Sequence, residues 1–466
     1  MRLTHRFMSV GFMSVGFMWV SLFATALPVS AQQARQPTGY ELALAAGYKA
    51  TITCGAVFIA GRTEAQIAAD ELYGIYPEFD ASVSKLVATI DQRAKAVTVA
   101  FAADMPPRIA LWSAATGCTT LPIGASTQLI PATAAGTTGP AGPAKGAWPR
   151  GDMVAPKAIQ ALDPVGRAFD AISYGKATKT TGVVVVKANQ IIAEQYAPGF
   201  GPFIANRTWS VAKSITGTLA GMAVKAGAVK IDQPAPIAAW DDPRDPRRAI
   251  TLDNLLRMAS GLHSDSAGNR TDAIYFGGSG VQENVAQWPL EARPGTRFRY
   301  ANNDILLAMM ALRSGLGEAR YRLFPQTALF AKLGMRHSVA EADLRGDYIL
   351  SSRVWTTARD LARFGQFYLN DGVWNGERLL PAGWVKYVTT RSGPQPPGAF
   401  GYGATFWLLN KSPGVPADSF SANGSRGQYV VMVPSRGIVI VRRGEDPGNA
   451  SFDIAKFTAD VLAAVK

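Results

Sequence analysis

Histidine and cysteine are scarce in this chain of 466 residues, with three of one and two of the other. That scarcity removes several kinds of chemistry. His5 falls in an apolar leader, and neither His263 nor His337 has a Gly-x-Ser-x-Gly elbow to serve, so both read as surface or loop residues and no His-based triad is expected. Cys54, Cys118 and two histidines show no ligand spacing, so no metal is expected. No glycine-rich loop ends in Gly-Lys-Ser/Thr, and no cofactor is expected. Compact basic runs with stacking aromatics are absent too. The net charge of +13 is spread through the chain and interleaved with acids, as in Asp241–Arg248, and Arg2 and Arg6 of the leader supply two of those charges. Nucleic acid is therefore not an expected partner; attraction to an anionic cell envelope is a milder possibility.

Long apolar runs are confined to the N-terminus. Met1–Arg6 is basic, Phe7–Leu27 is almost wholly apolar with Phe-Met-Ser-Val-Gly written twice, and Val29-Ser-Ala31 offers small residues for cleavage. Residues 1–31 are expected to be a signal peptide, with an uncleaved anchor as the alternative. Periplasmic or secreted localisation follows, without stable membrane insertion after cleavage. In an oxidising compartment Cys54 and Cys118 are expected to be bridged; two buried free thiols are the alternative. They bracket an expected small α+β domain over residues 32–123, with strands at Ala50–Ala60, Ala96–Ala103 and Arg108–Ser113 and a helix opening on the capping box Thr63-Glu-Ala-Gln66. Residues 124–152 are rich in Ala, Gly, Pro and Thr and read as a linker. Residues 153–466 form the expected large domain.

What is present points to one chemistry. Ser210-Val-Ala-Lys213 opens a stretch in which Val211, Ile215, Leu219 and Met222 recur at helical spacing. A serine at a helix start, with a lysine one turn on, places an amine base over a hydroxyl that also sees the positive end of the helix dipole. Ser-x-x-Lys recurs at Ser82–Lys85 and Ser173–Lys176, but the former lies in the Cys-bracketed region with no partner motif downstream and the latter is turn-like. Tyr300-Ala-Asn302 is such a partner for Ser210. It sits between a Pro-Gly turn and a helical run that Asn303 or Asp304 is expected to cap. A phenol can relay the serine proton, and an amide oxygen can hold the lysine. Tyr368-Leu-Asn370 has the same spacing but lies inside an expected helix, and reads as packing plus a C-cap.

The order Ser210-x-x-Lys213, then Tyr300-x-Asn302, resembles the penicillin-recognising serine hydrolases, specifically relatives of class C β-lactamases. Segments Ile250–Leu262, Thr357–Gly365 and Gly424–Pro434 resemble the family's further helices and its closing strand. The resemblance implies an α+β fold of the β-lactamase/transpeptidase type: an antiparallel sheet flanked by helices, plus a helical subdomain, preceded here by the small N-terminal domain. It also implies an oxyanion hole from the backbone N–H groups of Ser210 and Ser425, with Gly424 admitting substrate. Trp209, Trp355 and Trp407, with Tyr275 and Phe276, are candidate pocket walls. The third motif departs from the pattern. Ala422-Asn423-Gly424, or Ser425-Arg426-Gly427, lacks the leading cation that grips a substrate carboxylate. The chain is closer to the esterase and 6-aminohexanoate-dimer hydrolase branch. The expected function is cleavage of small-molecule esters or small amides through a Ser210 acyl-enzyme, with Lys213 or Tyr300 as base. A β-lactamase or D-alanyl-D-alanine carboxypeptidase, and a non-catalytic penicillin-binding-like receptor, are the alternatives.

Overall fold

The computed structural model describes residues 36–126, 142–155, 159–264 and 271–465. The expected signal peptide and much of the expected linker lie outside these residues. Thr38–Lys466 form one compact unit, and the centre of it is a seven-stranded antiparallel sheet. Its strands run in the order Gly401–Tyr402, Trp407–Leu408, Phe420–Gly424, Gln428–Val433, Ile438–Gly444, Thr180–Lys187 and Gln190–Tyr196. The run Val183-Val-Val-Val186 is uninterrupted because both faces of that strand are covered. Val183 and Val185 pack with the terminal helices Asp163–Arg167 and Ile454–Ala464. Val184 and Val186 face the main core, which includes the helices Val211–Lys225 and Ala358–Leu369. Tight turns join Thr180–Lys187 to Gln190–Tyr196 and Gln428–Val433 to Ile438–Gly444 as antiparallel hairpins, and the helix Ile454–Ala464 starts at an Asp453 cap.

Residues 38–121 hold a four-stranded antiparallel sheet, Ala88–Asp91, Ala96–Val99, Arg108–Ser113 and Gly117–Thr120. Against it packs a 20-residue helix, Gly39–Phe58. The expected strand Ala50–Ala60 therefore belongs to a helix. Its β-branched Thr51, Ile52 and Thr53 favour strand locally, but a capping box between Thr38 and Glu41 starts the helix upstream and burial on most sides sustains it. Cys54 on that helix is bridged to Cys118 on the last strand, with Cα atoms 6.1 Å apart.

This segment, expected as a domain of its own, is built into the main body. Buried Arg353 pairs with Glu341 at 2.8 Å and donates to the Cys118 carbonyl, while Arg108 donates to the Phe276 carbonyl at 3.0 Å. Part of the expected linker is tied down as well: Arg363 donates to the carbonyls of Pro149 and Gly151 and pairs with Asp152 at 2.6 Å. Such buried guanidiniums satisfy several carbonyls at once, which offsets their desolvation.

Candidate active site

Ser210 stands at the N-terminus of Val211–Lys225, a helix buried on nearly every side rather than along one stripe. The chain reaches it from the short strand Asn206–Arg207 through Trp209, whose φ of +50° lies in the left-handed region that a bulky residue rarely occupies. That corner is held from both sides. The Arg207 guanidinium lies 4.0 Å from the indole centroid, and the Tyr76 ring meets the indole edge-on at 5.9 Å. Strain concentrated next to a reactive group is a recurring feature of functional sites.

Lys213, one turn on, is 1% exposed. Its Nζ has three oxygen neighbours: Ser210 Oγ at 3.0 Å, Asn302 Oδ1 at 2.8 Å and the Ser351 carbonyl at 2.8 Å. Burial holds the amine down at about 7. The geometry divides those contacts by chemistry. Two of the oxygens are carbonyl oxygens that only accept, so an uncharged amine gives them its two N–H bonds. Its lone pair is then left for the third neighbour, a hydroxyl able to donate. Tyr300 lies beside the pair, with its ring centroid 4.9 Å from Lys213 Nζ; its phenol interacts with Ser210, and burial pushes that phenol well above the ordinary value. The phenol therefore stays protonated at neutral pH and is fitted to donate.

Asn302 is the first residue of the helix Asn302–Leu316, and Ala301 is its N-cap. Neither Asn303 nor Asp304 caps it. Asp304 is fully buried and accepts from Ser260 Oγ at 2.7 Å instead, a tertiary partner that outcompetes the local cap.

The strand Phe420–Gly424 closes the site. A Cβ added to Gly424 would sit 2.3 Å from the Thr208 carbonyl and 3.1 Å from Ser210 N, so only glycine lets this strand approach Ser210. Ser425 follows it. Arg426, with φ of +57°, turns away: it pairs with Glu445 at 2.8 Å and donates to the carbonyls of Gly74 and Asp70. It supplies no cation to the cleft.

An open cleft of about 550 Å³ lies over this group, lined by Ser210, Tyr300, Trp407, Gly424 and Ser425 together with Phe400, Asn423, Tyr429 and residues 451–454. Trp407 stacks obliquely on Tyr300 at 5.5 Å. The other aromatic candidates lie elsewhere. Trp355 is buried against Gly55 of the N-terminal helix, where a Cβ would come within 2.4 Å of the indole. Trp209 forms the corner described above. Phe276 packs on Tyr48, and the Tyr275 hydroxyl bonds Ser351 Oγ, supporting the carbonyl that holds Lys213. Ser351 itself carried no sequence signal, because a backbone carbonyl has no side-chain signature.

Residues 165–464 match the family described as Beta-lactamase; the chain belongs to that family and is a serine hydrolase. It is 28% identical over 300 residues to the 6-aminohexanoate-dimer hydrolase of Paenarthrobacter ureafaciens, covering 58% of this chain and 74% of that one. Its fold is similar to a solved structure of a provisionally assigned 6-aminohexanoate-dimer hydrolase from Bacillus anthracis, with a TM-score of 0.56 and 20% identity over 67% of this chain and 87% of that one. A provisionally assigned β-lactamase from Bacteroides dorei gives a TM-score of 0.53 at 20% identity, covering 65% of this chain and 97% of the other.

Proposed function

We propose that the chain is an exported hydrolase that cleaves ester or small amide bonds through an acyl-enzyme on Ser210. The observation that carries this reading is the coordination of Lys213, which leaves the lone pair of an uncharged amine for the Ser210 hydroxyl. Ser210 Oγ attacks the substrate carbonyl carbon as its proton passes to Lys213 Nζ. The carbonyl oxygen becomes an oxyanion received by the N–H groups of Ser210 and Ser425 at the positive end of the helix. Collapse breaks the bond to the leaving group, which takes the proton from Lys213 by way of Tyr300. Water then attacks the acyl-enzyme, giving its proton back along the same path, and the acid is released with Ser210 restored. Asn302 and the Ser351 carbonyl orient the amine throughout.

The relatives named for 6-aminohexanoate-dimer hydrolysis support an amide or ester substrate. β-Lactam and D-alanyl-D-alanine substrates are disfavoured by a strand that offers no cation to a substrate carboxylate. Export is supported by the leader sequence at residues 1–31 and by the disulfide; no helix among the described residues is long and apolar enough to cross a membrane. A fluorophosphonate is expected to modify wild-type protein at Ser210 and to leave Ser210→Ala unmodified, which a silent receptor would not show. Turnover of a short-chain nitrophenyl ester should exceed that of a chromogenic cephalosporin. The reverse order would replace this reading with a β-lactamase.

A further inference from the structure

The two backbone donors assigned to the oxyanion, Ser210 and Ser425, lie 215 positions apart in the sequence. One short stretch of the N-terminal segment, residues 70–76, grips the neighbours of both. On one side the Tyr76 ring meets the indole of Trp209 edge-on at 5.9 Å, against the residue that precedes Ser210. On the other, Arg426 follows Ser425 and reaches into the same stretch. Its Nη1 donates to the Gly74 carbonyl at 2.9 Å and its Nη2 to the Asp70 carbonyl at 2.8 Å, while its Nε pairs with Glu445 at 2.8 Å. The Arg426 side chain is only 6% exposed. Neither Tyr76, Trp209 nor Arg426 lines the cleft, so this grip lies away from the substrate.

The stretch is itself anchored. Asp70 is the C-cap of the helix Glu64–Ala69 and pairs with Arg62 and Lys179. The Leu72 N–H donates to the Ile67 carbonyl at 3.0 Å, and the Gly74 carbonyl accepts a second bond from the Gly448 N–H at 2.9 Å. The Tyr76 ring packs on Tyr48 and Phe79, with centroids 6.2 and 6.1 Å away.

A guanidinium that holds two carbonyls and a carboxylate at once fixes the direction of its own backbone, which a single ammonium cannot do. An oxyanion hole works only while both donors keep their places. Resting on the hydrolase reading above, we infer that residues 70–76 strap the two halves of the oxyanion hole together, and that Arg426 and Tyr76 are positioning residues for it. The N-terminal segment thereby takes part in catalysis without touching substrate. Other restraints remain. Arg442 donates to the Gly427 carbonyl at 2.9 Å and holds the same turn from the sheet. Loss of the strap therefore loosens the hole rather than abolishing it.

Arg426→Lys removes the fork while keeping a charge for Glu445, and Tyr76→Leu removes the ring while leaving the ion pairs in place. In each, kcat and kcat/KM on a nitrophenyl ester should fall together by about tenfold to a hundredfold, as for an interaction made in the transition state. Tyr76→Phe keeps the ring and should recover most of that loss. A readout without turnover is the affinity for hexyl trifluoromethyl ketone, whose carbonyl adds Ser210 Oγ and leaves an oxyanion in the hole. The ketone should bind more weakly to both variants by a similar factor. The corresponding alcohol, which forms no adduct, should bind as it does to wild type. Tyr76→Leu decides the matter where Arg426→Lys costs too much stability. Folded variants with wild-type kcat and ketone affinity, or equal losses for ketone and alcohol, would overturn the strap and leave the hydrolase reading standing. Wild-type protein that turns over no ester, forms no ketone adduct and leaves Ser210 unlabelled would sink that reading and the strap with it.

Discussion

The Ser351 carbonyl oxygen lies 2.8 Å from Lys213 Nζ. With Asn302 Oδ1 as the other acceptor, it takes one of the two hydrogen bonds that an uncharged amine donates, and the amine lone pair is left to accept a third from the Ser210 hydroxyl. A full ammonium could also donate three times, but its charge is buried without a paired carboxylate, and that desolvation drives the proton off. Above about 7 the amine is a base, and below it the ammonium cannot take the serine proton. The acylation rate is therefore expected to rise with pH through about 7 and then level. Asn302→Asp places a negative charge beside the nitrogen and favours the ammonium, so the midpoint should move alkaline by about one to three pH units. A pH profile of kcat/KM on a nitrophenyl ester reads the shift.

Tyr300 is fitted to donate rather than to accept. Tyr300→Phe is expected to lower kcat by about 10²–10⁴-fold while leaving the midpoint near 7 in place, because the group that titrates is Lys213. Loss of the acidic limb in the phenylalanine variant would instead make the phenol the base.

Gly424 keeps the strand against the nucleophile corner. In Gly424→Ala the new methyl meets the Thr208 carbonyl, so the strand must withdraw and carry Ser425 with it. The expected cost is about 10²–10³ in kcat, the size of one lost oxyanion donor. Circular dichroism would show whether the fold persists while kcat falls.

The disulfide closes a separation of 64 residues, and in the chain-entropy model that contributes about 4 kcal/mol. Cys54→Ala with Cys118→Ala should lower denaturant stability by about that amount, with Ser210 still labelled below the new transition. Loss of labelling in folded protein would tie the segment directly to the site.

The legible parts of this protein were those with local periodicity or local chemistry. The capping box at Thr63-Glu-Ala-Gln66 states its conformation within four residues, and the motifs that contain Ser210, Lys213 and Asn302, which the structure brings within hydrogen-bond distance, are set by residue type and spacing. Long-range packing decided what was missed. Thr51–Thr53 prefer strand locally, yet tertiary burial extends a helix through them. Trp355 reads like a pocket wall and instead fills the notch left by Gly55, 300 positions away in the sequence, too far for any local pattern to announce the pairing. Asp304 abandons the expected cap for Ser260, a partner brought in by the fold. The cleft residues Phe400, Tyr429 and Asp453 come from the residue before one strand, from a second strand and from a helix cap, which only the folded sheet brings together.

The central claim is that Lys213 gives up its proton near neutral pH, so that an uncharged amine is available to Ser210 there. It is tested most directly by following the Lys213 side-chain ¹³Cε resonance as pH is raised, with Lys213→Arg to assign the signal. The account predicts a midpoint close to 7, far below the ordinary lysine value of about 10.4. A resonance that titrates only near that ordinary value would contradict it, because Ser210 would then have an ammonium beside it and no base.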